Sequence, residues 1–328
     1  MEISWLQSFA NDWRSRVARG RVPHAVMLQG TRGVGKRAAA AWLAAEKLRP
    51  GTAAAVPHFP QTLPEHADLR WIAPLQDKHV IGVEAIRELV GELSLTSYAG
   101  GGKVAVIEPA NAMTVNAANS LLKTLEEPPG DALLVLVADN AGRIPATVLS
   151  RCQRINIGVP AESESLAWLD KLQPGGSWAQ ALRLAGNAPL AAIVAADRLE
   201  LTRTMAREFA ALPQFGASPL DVAADWSKQE PRFVFDWLGS EIRDCIRRLA
   251  EGAASAREVL VPDSVLRRID RRKLFCYLDT VNRLRNQPAG SFNVQLTIES
   301  LLIDWADGLR DFDGDADIAR QSLIPGIR

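Results

Sequence analysis

The chain has 328 residues, more than one compact core of ordinary size holds, so two or three domains are expected. With 47% hydrophobic and 23% charged residues it has the composition of a soluble globular protein, which excludes a disordered chain, and no segment reaches the roughly 18 uninterrupted apolar residues that a membrane span needs. Lysine plus arginine equal aspartate plus glutamate at 38 each, so the chain as a whole attracts no polyanion, and any nucleic acid contact has to come from local patches or from partners.

Met1 to Ala10 carries no basic region followed by an apolar run, so a cytoplasmic protein is expected. The apolar run Val26 to Gln29 ends at Gly30-Thr31-Arg32-Gly33-Val34-Gly35-Lys36, and Ala38 to Leu48 is an alanine-rich helix pattern that stops at Pro50-Gly51. Strand, glycine loop and helix in this order are the context of a phosphate-binding loop. Backbone N–H groups of such a loop cradle an anion, and Lys36 would reach the outer phosphates. In a working loop the next residue is Ser or Thr, whose hydroxyl ligates the magnesium between the β- and γ-phosphates. Arg37 stands there and has no acceptor oxygen. Gly30, Gly33, Gly35 and Lys36 are therefore the candidate binding residues of a degenerate loop. It is expected to hold an anion at most, with no cofactor; a tight turn that binds nothing is the alternative.

Gly51 to Pro64 contains Gly51, Pro57, Pro60 and Pro64 and reads as exposed loop. His58, His66 and His79 lie in or near it, but zinc needs four well-spaced ligands, and no cysteine falls between Arg49 and Asp68. These are read as loop histidines, and Cys152, Cys245 and Cys276 are too scattered for a disulfide framework or a metal site. Further β-like runs appear at Leu69–Ile72, Val104–Ile107, Leu133–Ala138 and Arg154–Ile157. Between them Val83, Ile86, Leu89, Val90 and Leu93 form one helical apolar face, and Ala117, Leu121, Leu122 and Leu125 another. Five short strands alternating with helices predict an α/β fold with a parallel sheet covered on both sides.

A P-loop enzyme also needs carboxylates at the end of a neighbouring strand, one to help hold Mg²⁺ and one to orient the attacking water. Val104–Ile107 is followed by Glu108-Pro109-Ala110-Asn111. One carboxylate survives, while Pro109, which can neither polarise water nor accept its proton, stands where the other would be; hydrolysis in this site is not expected. After Pro160 the strand signals fade, and Glu164–Leu172, Ala179–Leu184, Leu190–Phe209 and Arg232–Glu251 read as helices. Breaks fall at Pro174-Gly175-Gly176 and at Ala211 to Pro219, and Asp311 to Arg328 reads as a polar tail.

Several segments resemble those of the bacterial clamp-loader subunits, an AAA+ family. They are Arg21-Val22-Pro23-His24-Ala25, Ile81 to Leu89, Asn116 to Pro129 (NAANSLLKTLEEPP) and Ser150-Arg151-Cys152. The long run is the most specific, and Asn293 to Leu296 with Ile298, Glu299, Leu301, Leu302 and Trp305 resembles the last helix of that family's collar. The resemblance is strong over about residues 1 to 160 and patchier beyond.

It implies a RecA-like AAA+ domain over 1–159, a small helical lid over 160–208 and an all-helical collar over 209–328. It also implies partners: the clamp-loader ATPase subunits (gamma/tau), a delta subunit, the sliding clamp, and primed DNA through the assembly. By membership the chain would be part of a DNA-directed DNA polymerase. In the family the SRC arginine is an arginine finger, inserted into a neighbouring subunit's ATP site, which makes Arg151 the candidate catalytic residue, acting in trans. Such a finger is worth roughly three to five powers of ten in rate. Three positions depart from the active pattern: Arg37, Pro109, and the lid stretch Ala185 to Ala191, which lacks the arginine that ATPase members carry. The family's four-cysteine zinc module is also absent. Arg87, Lys103 and Lys123 are conceivable DNA contacts, and the cluster Arg267, Arg268, Arg271, Arg272 and Lys273, interleaved with Leu266, Ile269, Leu274 and Phe275, reads as an amphipathic interface helix. The reading is a non-hydrolysing clamp-loader subunit; the alternative is an active P-loop ATPase.

Overall fold

The computed structural model describes residues 1–50, 54–74, 80–139, 141–251, 260–285, 287 and 292–312. It divides into two compact units, Met1–Ala196 and Asp197–Arg328.

In the first unit a 3₁₀ turn, Ser4–Leu6, leads into α1 (Gln7–Ala18), and a sheet follows from β1 (Ala25–Gln29), β2 (Leu69–Ile72), β3 (Lys103–Ile107), β4 (Ala132–Ala138) and β5 (Gln153–Asn156). Among the described residues these five strands form one sheet of order β2-β3-β4-β1-β5 with every pairing parallel. Such a sheet requires crossovers, supplied by α2 (Lys36–Leu48), α3 (Val83–Leu93), α4 (Val115–Glu126) and the short α5 (Ala146–Leu149). The strand in the middle, β4, is buried along all seven residues, as expected where both faces are covered. Its Leu134 and Leu136 join Met27 and Ile107 in a core with Ile86 and Leu89 of α3 and Leu121 and Leu125 of α4. Val26, Leu28, Val104 and Val106 alternate with these residues and are buried too. In α2, Ala38 to Ala41 and Ala44 are buried, and side chains this small let a helix lie close against the three strands it touches.

The 54–64 stretch does not behave as the exposed loop expected of it. Val56 is 1% exposed, Ile3 N–H donates to Pro57 O, and Trp42 Nε1–H donates to Ala54 O, so the segment straps the N-terminus and α2. His79 lies outside the described residues.

The first unit closes with α6 (Glu162–Leu172), α7 (Trp178–Leu184) and α8 (Pro189–Ala196). The single helix expected over Leu190–Phe209 is two, because the chain turns at Asp197-Arg198 before α9 (Leu199–Ala211). That turn is also where the units divide. Met205 and Phe209 of α9 belong to the second core, so the physical boundary falls near residue 197 and not at 208.

The described elements of the second unit are all helical: α9, a 3₁₀ turn at Leu212–Gln214, α10 (Pro219–Trp226), α11 (Pro231–Glu251), α12 (Asp263–Leu266), α13 (Arg271–Arg285) and α14 (Val294–Ala306). Ser218 caps α10 with proline at its first position, and Asn293 caps α14 by accepting from Leu296 N–H. The core centres on Trp305, stacked on Phe209 at 4.2 Å, with its indole N–H donating to Phe209 O at 3.0 Å. Beside it the fully buried Tyr277 hydroxyl donates to Leu301 O at 2.6 Å, and burial holds that phenol well above its usual pKa. Trp305→Ala removes the stacking surface and leaves Phe209 O without its donor; it should destabilise the second unit by about 3–5 kcal/mol, read as a lower midpoint in urea denaturation.

Candidate functional site

The glycine loop lies between β1 and α2, where the parallel sheet delivers its strand ends. Gly30 has φ +150°, and a Cβ there would stand 2.2 Å from Ile157 O; Gly33 has φ +87°, and a Cβ there would stand 2.5 Å from Ala191 Cβ. No side chain fits at either position. The second close approach means that α8 sits directly on the loop, a contact completed by Leu190 N–H donating to Gly33 O at 2.9 Å. From the other direction Trp5 Nε1–H donates to Val34 O at 2.8 Å.

Lys36 turns inward. It is only 4% exposed, and its Nζ donates to Gly30 O at 2.7 Å and Thr31 O at 2.7 Å and pairs with Asp139 Oδ1 at 2.8 Å. An ammonium has three hydrogens, so these partners account for all of them. Nothing in the sequence marks Asp139 for this role. The pairing of β1 with β4 sets Gln29 beside Ala138, and the residue after Ala138 reaches the lysine. Asp139 is held there by its own N–H, which donates to Asn111 Oδ1 at 3.1 Å.

Arg37 is similarly engaged. Its Nη1 donates to Glu108 Oε2 at 2.9 Å, and its guanidinium lies over the Trp71 ring at 5.3 Å from the centroid. Trp71 Nε1–H donates to the same Glu108 oxygen at 3.1 Å. Burial pushes the Glu108 carboxyl above its ordinary pKa and Asp139 adds to this, while Arg37, the Trp71 N–H and Lys36 pull the other way. A magnesium nucleotide does not fit this donor set: the lysine has no free hydrogen, the carboxylate already holds a guanidinium, and Arg37 offers no oxygen. The loop residues Gly30, Gly33, Gly35 and Lys36 are thus brought together, but around the chain's own groups.

The SRC segment divides its labour. Ser150 Oγ–H donates to Thr147 O, and Cys152 is buried in the core below the sheet, its thiol pushed up to about 11 by burial. Arg151, between them, faces outward with its side chain 35% exposed. Its Nε donates to Glu126 Oε1 at 2.9 Å and its Nη1 to Thr147 O at 3.0 Å. Glu126 belongs to the LEEPP run, and His24 Nε2 lies 2.8 Å from the carbonyl oxygen of Leu125 in the same run. Three motifs far apart in sequence therefore meet at the C-terminal end of α4.

The DNA candidates are less uniform. Lys103 donates to the Glu92 carbonyl and is partly buried, Arg87 pairs with Glu84 one turn away, and Lys123 is exposed. In the second unit the cluster is not the single amphipathic helix expected: it spans the break between α12 and α13, with Leu266, Ile269 and Leu274 buried, its four arginines exposed and Phe275 56% exposed. Among the described residues no three of His, Cys, Asp and Glu converge as a metal site, and no helix is long and apolar enough to cross a membrane.

Residues 5–160 match the family model described as DNA polymerase III, delta subunit. The DNA polymerase III subunit delta' of Pseudomonas aeruginosa is 32% identical over 337 residues, covering 92% of this chain and 96% of the relative. This chain belongs to the DNA polymerase III delta prime family. The Escherichia coli K12 delta' subunit is 31% identical over 73% of this chain and 73% of its own length. A DNA polymerase III subunit tau of Bacillus subtilis is 33% identical over 40% of this chain and 24% of its own length. The five-stranded parallel sheet with its glycine loop is the RecA-like AAA+ arrangement that the sequence resemblance implied.

Removing the guanidinium should expose the tension on Glu108. In Arg37→Ser the carboxyl faces Asp139 with less compensation, so its folded-state pKa rises further above the unfolded value. A raised acid costs stability above its folded pKa and regains it as pH falls through that value. The variant should be less stable than the parent by about 1 kcal/mol at pH 7, the scale of a half-exposed pair, with the deficit shrinking towards pH 5 in denaturant titrations.

Proposed function

We propose that this chain is the non-hydrolysing delta prime subunit of the DNA polymerase III clamp loader. It donates Arg151 in trans to the ATP site of a neighbouring ATPase subunit while the assembly places the sliding clamp on primed DNA in the cytoplasm. The supporting observation is the way the SRC segment displays that arginine. Ser150 and Cys152 fix the backbone on either side, and the guanidinium is left at the surface on a carboxylate that is itself 50% exposed. A surface pair of this kind is weak, on the order of 0–1 kcal/mol, so a more demanding anion can take the guanidinium over. The charge that develops on a transferring phosphoryl group is such an anion, and a preorganised guanidinium meets it bidentately.

The same reading assigns the helical parts their roles. Helices α6 to α8 act as the lid, resting on the loop through Ala191, and the second unit acts as the collar that packs with the gamma/tau and delta subunits. The chain would thus belong to a polymerase holoenzyme without supplying polymerase chemistry.

Arg151→Ala should leave the chain folded and incorporated in a reconstituted clamp loader, judged by size-exclusion elution, while DNA-stimulated ATP hydrolysis at the one partner site that Arg151 enters falls by about 10³-fold, lowering the assembly's total rate by that site's share. Arg151→Lys should recover little of it, because an ammonium cannot reproduce the planar fork. An unchanged rate in the Ala variant rules out the finger.

A further inference from the structure

The loop's inability to take a magnesium nucleotide has a specific physical form. A lysine that is 4% exposed needs a counter-ion, because an unpaired buried ammonium is costly. In a phosphate-binding loop the ligand is that counter-ion. Here Asp139 supplies the charge at 2.8 Å, from a backbone position set by the β1–β4 pairing and by the bond to Asn111. On the other side a carboxylate at the end of β3 needs a cation, which would be the metal. Arg37 supplies it at 2.9 Å, backed by the Trp71 ring and N–H.

We infer that the site is occupied by the chain itself, with Asp139 in the role of the phosphate at Lys36 and Arg37 in the role of the metal at Glu108. Asp139 is then the specificity-determining residue: it turns a latent pyrophosphate-binding loop into one that rejects pyrophosphate and the nucleotides that carry it. The two ion pairs lie within reach of each other's charge, Lys36 favouring the Glu108 carboxylate and Asp139 opposing it. Asp139 and Glu108 sense one another's charge, so a phosphate entering at Lys36 would bring further negative charge beside two carboxylates. It would also have to pull the ammonium away from Gly30 O and Thr31 O, leaving two loop carbonyls without their donor. The inference deepens the non-hydrolysing reading of this loop and does not depend on the role of Arg151.

Asp139→Asn is the informative variant, since it keeps the side chain's shape and one acceptor oxygen while removing the negative charge. Inorganic pyrophosphate is titrated calorimetrically, without metal, into the full chain, into the variant, and into the variant combined with Lys36→Gln. The unaltered chain should show no saturable binding in the millimolar range. Asp139→Asn should bind at least about 10-fold more tightly than the parent, the scale of one recovered charge-assisted contact, and the added Lys36→Gln should abolish that gain. A folded Asp139→Asn protein with no gain overturns the proposal. Should that variant not fold, ¹⁵N-lysine NMR of the unaltered chain decides. The Lys36 ammonium should exchange slowly and keep its shift when pyrophosphate is added; a shift would overturn the proposal. Neither result bears on the Arg151 assay, so the two readings can fail separately.

Discussion

The ion pair between Lys36 and Asp139 is the contact on which the rest of the site depends. It closes a circuit that begins with the parallel pairing of β1 and β4, passes through the loop carbonyls of Gly30 and Thr31, and ends at Asn111 beside the β3 carboxylate. Break it, and the lysine is a buried cation seeking an anion, which is what a nucleotide-binding loop provides. With the pair in place, the loop instead becomes a packed joint. Helix α8 rests on Gly33 and the indole of Trp5 is bonded to Val34 O. Arg37 on Glu108 adds a second ion pair beside these contacts.

The SRC segment needs a stable platform, and it has one: Cys152 in the core, Ser150 closing α5, and the LEEPP turn carrying Glu126 up to meet Arg151. His24, just before β1, bonds to the same turn. The strand that leads into the loop and the turn that holds the arginine are therefore linked through a short set of direct contacts. The glycine loop and Arg151 are thereby tied into one set of contacts within the first unit.

Much of this was legible in the sequence, for reasons that differ from place to place. The inner strands were visible because a sheet covered on both faces demands short continuous apolar runs, as in Val104–Ile107 and Leu133–Ala138, which are buried at every position; the edge strand Leu69–Ile72, which carries Arg70 and is only partly buried, has the same limits in the structure. The degenerate loop was visible because Gly30, Gly33 and Gly35 occupy backbone states with positive φ, and Arg37 breaks a known chemical requirement. Asp139 was not visible. It is an unremarkable aspartate after a strand, and only the register of β4 beside β1 brings it to Lys36. Trp71 was missed for the same reason, since its N–H finds Glu108 across the β2–β3 pair. The division at residue 197 was hidden because the apolar spacing of Leu190 to Phe209 runs on through the turn at Asp197-Arg198, with the apolar faces on the two sides belonging to different cores. The 54–64 strap reads as loop because Pro57, Pro60 and Pro64 are real breakers, and no local signal shows that Val56 is buried.

The most direct test of the account is equilibrium binding of a fluorescent ATP analogue, with Mg²⁺, to the purified, unaltered chain, alongside phosphate release by the same preparation. A loop whose lysine and carboxylate are already neutralised from within should show no saturable binding below about 1 mM and no turnover above background. Tight binding that disappears on changing Lys36, together with turnover by the isolated chain, would contradict it.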